Sequence, residues 1–211
     1  MSDVNLQLVR EFFELNLFHV LTHWQHESAR PRAVEPGLQL LVENTQAPAG
    51  ASEPGFVLSP EEVPALRRAV VEVRAWHADR FYPSVIESSP VLAQFATDDA
   101  LGFARQLFGP TAFTTVLVIS ELPASPEPRT RSIHLLQQTG IGHVLEFPVV
   151  LRGILDKVAA SGLYASPTLQ TLRLLKRYGL IRRQQLEFKF PASGDHATPH
   201  VETAQEVQEE A

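Results

Sequence analysis

The chemistry in this chain centres on Glu72 and Arg74, set two apart in Ala69-Val70-Val71-Glu72-Val73-Arg74-Ala75-Trp76. The β-branched run reads as a buried strand, so Glu72 and Arg74 share one face while Val71, Val73 and Ala75 take the other. A carboxylate and a cation on a central strand need a compensating partner, because unpaired buried charge is costly. One solution is an ion pair, mutual or across the sheet. The other is a metal-dependent site in which the carboxylate holds Mg²⁺ and the cation faces a phosphate. The upstream segment Leu38–Asn44 reads as a second strand with Gln39, Leu41 and Glu43 on one face. If the two strands pair, Gln39 or Glu43 comes near Glu72.

Other constellations are weaker. His19, His23 and His26 would form a zinc-binding face on a helix, at i, i+4 and i+7. Their segment, residues 18–26, alternates as a strand, where they do not converge. His77, Asp79 and Arg80 follow the Glu72 strand, where they would line the same cleft as Glu72 in supporting positions or, the simpler reading, form a polar loop at the strand end. No Gly-X-Ser-X-Gly elbow supports Ser120 as a hydrolase nucleophile. No Gly-rich phosphate loop follows a strand, so the Walker and Rossmann modes of nucleotide binding are not expected. With no cysteine, thiolate chemistry, thiolate zinc sites and disulfides are excluded.

The elements that must position these residues are legible from periodicity and caps. Leu6, Val9, Phe13 and Leu17 predict an amphipathic first helix over about 4–17. Ser59-Pro60-Glu61-Glu62 predicts a short capped helix. A loop containing Pro83 and Pro90 is expected next, then a helix over about 98–108 opened by Thr97-Asp98-Asp99. Phe113–Ile119 is the strongest strand signal. A helix from Ser125-Pro126 to Gly140, a strand at 143–147 and a helix to about 160 follow. Ser166-Pro167 opens a last helix, with Leu169, Leu172, Leu175 and Tyr178 as its apolar stripe and Gly179 as its stop. Leu186, Phe188 and Phe190 suggest a final short strand. This order predicts an α/β sandwich with a mixed central sheet.

These residues and their order resemble the PD-(D/E)XK, or restriction-endonuclease-like, nuclease superfamily. Glu72-Val73-Arg74 occupies the place of the (Asp/Glu)-X-Lys element, and Leu38-Gln39-Leu40-Leu41-Val42 that of the Asp-bearing strand. The opening helix carries Glu11 and Glu14. The resemblance spans roughly residues 4–160 and implies an αβββαβ sandwich with a C-terminal helical addition. It also implies DNA as substrate and Mg²⁺ as cofactor. Glu72 would be the principal metal ligand, Glu43 or Glu14 would complete the site, and Arg74 would stabilise phosphorane charge. Two departures stand out. Gln39 replaces the metal-binding Asp with a neutral amide. Arg74 replaces the catalytic Lys with a group that stays charged and does not readily exchange protons. Three functions remain open: an Mg²⁺-dependent nuclease, an inactive nuclease-like fold that binds nucleic acid or protein, and an unrelated α/β protein with an ion pair.

Charge is distributed unevenly along the 211 residues, whose formal net charge is −6. Residues 1–151 carry −7, residues 152–191 carry +6, and residues 192–211 carry −5. The chain is expected to divide into a core (1–162), a basic helix and strand (163–191) and a disordered acidic tail (192–211). Arg173, Lys176, Arg177, Arg182 and Arg183 form the candidate nucleic-acid surface, with the tail as an electrostatic competitor. The chain lacks a signal-peptide pattern and a membrane-length apolar run, so a cytoplasmic location is expected. Oligomeric state is open, a homodimer being compatible.

Overall fold

A computed structural model describes residues 3–22, 38–47 and 52–181. The elements are α1 (Asp3–Leu15), β1 (His19–Thr22), β2 (Leu38–Glu43), β3 (Arg68–Arg74), α2 (Pro83–Glu87), α3 (Val91–Gln94) and α4 (Gly102–Phe108). They continue with β4 (Thr114–Ile119), α5 (Pro126–Gln138), β5 (His143–Glu146), α6 (Phe147–Lys157) and α7 (Pro167–Arg177). The final strand expected at 185–190, the acidic tail, His23 and His26 lie outside the described residues.

The five strands form one mixed sheet in the order β1-β2-β3-β4-β5. β1, β2 and β3 are antiparallel neighbours, whereas β3, β4 and β5 run parallel. Helical connections carry the chain between the parallel strands, as such crossovers require. The far side of β5 is met by residues 56–58, whose amide and carbonyl bond to Val144 on both sides of Val57.

Strand alternation sorts side chains into two cores. On the first face, Leu40, Val42, Val71, Val73, Val116 and Val118 pack against Phe12 and Phe13 of α1 and Val150 and Ile154 of α6. On the second face, Leu41, Val70, Leu117, Ile119 and Val144 meet Phe81, Ile86, Leu92 and Leu136. The architecture is therefore a sheet between two helical layers, as expected of the near-continuous apolar β4. α1 and α6 approach closely at Gly153, where a Cβ would lie 2.5 Å from Phe12 Cε2.

Local signals explain the helix ends. Ser166 Oγ accepts from the Thr168 and Leu169 amides at the start of α7. At its end Gly179 takes φ 70°, Leu180 N bonds Leu175 O and Gly179 N bonds Lys176 O. This is the paired closure that a left-handed glycine permits. α1 ends in the same way without a glycine: Leu17 sits at φ 65° and Phe18 N bonds Phe13 O.

Three expectations are corrected. The helix at Ser59 is a 3₁₀ turn at Val63–Ala65. Glu62 does bond the Ser59 amide at 2.8 Å, but Pro64 supplies no amide to carry a helix onward. The segment after β3 holds α2 and α3, because Pro83 sits in the first turn of α2 and favours its start. α4 begins at Gly102, with 98–101 in turns.

Candidate functional site

The antiparallel register sets Gln39 directly opposite Glu72. Val70 and Leu41 belong to the second core, so Gln39, Glu72 and Arg74 emerge on the face covered by α2 to α5. Glu72 is 2% exposed and Arg74 6%. Arg74 Nε donates to Glu72 Oε1 at 2.6 Å, and Gln39 Nε2 donates to Glu72 Oε2 at 3.3 Å. Both carboxylate oxygens are therefore engaged by donors. The terminal nitrogens of Arg74 make no hydrogen bond among the described residues. On the same face, Glu146 accepts from the Leu122 amide at 2.8 Å and from Arg129 Nη2 at 2.8 Å. Hydrogen bonding to that carboxylate raises the Arg129 pKa above its ordinary value.

The other expected metal ligands do not join Glu72. Glu43 lies four residues beyond Gln39 on β2, opposite Arg68, with which it pairs at 2.5 Å. Glu14 is exposed and pairs with Arg10 at 2.8 Å. Glu11 belongs to α1, which covers the opposite face. It is buried and accepts from Gln7 at 2.7 Å and from Ser166. Among the described residues no three His, Cys, Asp or Glu side chains gather as a metal site. Divalent magnesium is held through carboxylates and water oxygens. One carboxylate already closed by a guanidinium and an amide does not fit that ion. Glu43 and Glu14, expected beside Glu72, are paired with Arg68 and Arg10 instead.

The basic surface is only partly assembled. Lys176 Nζ donates to the Leu155 and Val158 carbonyls at 2.5 and 2.6 Å, capping the C-terminal end of α6. Arg173 is half-buried, and its Nε is buried without a hydrogen-bond partner among the described residues. Arg177 is exposed. Arg182 and Arg183 lie outside the described residues.

A separate cleft of about 650 Å³ opens beyond the C-terminal ends of β3, β4 and β5. Such crevices are where open α/β sheets take ligands. Its walls include Asn5 and Leu8 of α1, His77–Arg80 after β3, Ser120 and Glu121 after β4, and Phe147, Pro148 and Leu151. His77, Asp79 and Arg80 line this cleft, and not one shared with Glu72. They do so apart from Gln39, Glu72 and Arg74, which do not contribute to its walls. Asn5, Leu8 and Leu151 carry no motif. Only the placement of α1 and α6 over the strand ends brings them there. Ser120 Oγ donates to the Asp79 backbone carbonyl at 2.7 Å, the bond of a loop anchor and not of a nucleophile paired to histidine.

No protein-family model, curated protein or solved structure matches the chain. No helix among the described residues is long and apolar enough to cross a membrane.

Proposed function

We propose that this chain is a restriction-endonuclease-like domain without metal-dependent cleavage, serving as a nucleic-acid-binding module. The element order from α1 through β1, β2 and β3 to the helices, β4 and α5 supports the architecture. So does the direct pairing of Gln39 with Glu72. The single observation that carries the loss of cleavage is the closure of Glu72 by Arg74 and Gln39. DNA is favoured as partner because the exposed Arg177 makes no hydrogen bond or ion pair among the described residues. Guanidinium groups suit phosphate oxygens.

The test is a pair of assays on the full chain. Fluorescence anisotropy measures binding to duplex and branched DNA across a salt series, and plasmid nicking is followed with Mg²⁺ and Mn²⁺. Binding that weakens with salt, and further with Arg177→Glu, is expected without metal-dependent product. Cleavage abolished in Glu72→Ala, or an absence of salt-dependent binding, would overturn the proposal.

A further inference from the structure

The cleft at the C-terminal edge of the parallel strands offers three kinds of surface. Leu8, Phe147 and Leu151 supply an apolar wall. Arg80 and Asp79 supply opposite charges on the turn after β3. Arg80 spends only Nε on Glu121, at 3.1 Å, so its terminal nitrogens carry no bond among the described residues. The Asp79 carboxylate carries none either.

His77 supplies the third surface, and Asn5 engages one of its ring nitrogens. Asn5 Nδ2 donates to the Ala75 carbonyl at 3.2 Å, which makes Oδ1 the atom that meets His77 Nε2 at 3.1 Å. An oxygen acceptor takes the proton of Nε2, so a neutral ring would present the Nδ1 lone pair to a ligand. Phe147 holds the ring edge-on, with centroids 4.6 Å apart. The first turn of α6 adds little, since the Phe147 amide is spent on Ser120 O and Pro148 has none.

We infer that this cleft binds a small zwitterion with an apolar body, of the α-amino-acid type. The carboxylate meets the outer edge of Arg80, where a planar fork of donors suits it. The ammonium meets Asp79 and the Nδ1 lone pair of His77. The side chain lies on Leu8, Phe147 and Leu151. A simple anion would face Asp79 and Glu121, and a simple amine would leave the outer edge of Arg80 without an acceptor. A purely apolar ligand would desolvate all three charges without compensation. The volume of about 650 Å³ accommodates an aromatic amino acid with bridging waters. This inference is independent of the nucleic-acid proposal, because the cleft shares no wall with Gln39, Glu72 or Arg74.

Isothermal titration of the full chain with L-phenylalanine tests it, with phenethylamine and 3-phenylpropionate as single-charge controls. The His77 ring resonances are followed by NMR in parallel. Saturable binding of phenylalanine with a shift at His77 is expected. Each control should bind about tenfold more weakly or less, as should Asp79→Asn and Arg80→Gln. Both substituted residues are exposed, and circular dichroism checks that the variants fold. No saturable binding up to roughly 10 mM would overturn the inference. So would equal affinity for either control, or unchanged affinity in both variants.

Discussion

Arg74→Ala leaves the Glu72 carboxylate buried beside a neutral amide. Glu72 is 2% exposed, and Arg74 Nε lies 2.6 Å from its Oε1. Two unit charges about 4 Å apart attract by about 4 kcal/mol at an effective dielectric of 20. Removing one partner from a buried pair costs about 3–5 kcal/mol, because the remaining charge keeps its desolvation penalty. In a chain of this size that lowers the melting temperature by roughly 6–20 °C. Replacing both groups with apolar side chains removes the penalty along with the attraction. Glu72→Leu/Arg74→Met should therefore lie within about 1–2 kcal/mol of wild type. Urea unfolding reads the series through tryptophan fluorescence, since Trp76 stacks on Phe81 at 5.2 Å. Glu72→Leu and Arg74→Met alone should each be much less stable than the double variant, with a coupling energy of at least about 4 kcal/mol. The reasoning fails if Arg74→Ala costs less than about 1 kcal/mol, or if the double variant costs the sum of the two singles.

Three further outcomes follow from particular contacts. Ser166→Ala removes the acceptor of the Thr168 and Leu169 amides and a contact to Glu11, and should cost about 1–2 kcal/mol in urea unfolding. Leu17→Gly should stabilise by about 0.5–1 kcal/mol, because Leu17 is 64% exposed and sits at φ 65°, where a side chain is strained. Backbone bonds from Gly55 and Ser59 depress the Glu62 pKa below 4.5, so their stabilisation is present above the unfolded value and is lost as pH falls through the depressed one. Glu62→Gln should accordingly flatten the acid limb of a stability–pH curve by about 0.5 kcal/mol, the carboxylate being partly solvated.

Local chemistry made much of the fold legible. Ser166-Pro167 and Gly179 bracket α7 because both caps are backbone requirements that no distant contact need supply. Alternation placed Glu72 and Arg74 on one face, and β2–β3 pairing brought Gln39 to Glu72. Other features depended on tertiary context. Lys176 lies on a helix face that reads as a phosphate-binding stripe, yet it caps α6 because Leu155 and Val158 sit within reach. Glu43 shares a strand face with Gln39, but the register gives it to Arg68. α2 and α3 went unread because Pro83 and Pro90 signal a loop as readily as a helix start. The cleft at the C-terminal ends of β3, β4 and β5 was not legible as a site of its own, since its apolar wall comes from helices distant in sequence from His77, Asp79 and Arg80.

The most direct test of the closed Glu72 site is a Mn²⁺ titration followed by paramagnetic broadening of the backbone amides of β2 and β3. With both carboxylate oxygens engaged by Arg74 and Gln39, the signals of Gln39, Glu72 and Arg74 should broaden no more than those of exposed carboxylates such as Glu14. Selective, saturable broadening centred on Glu72, abolished by Glu72→Gln, would contradict the account and restore a metal site there.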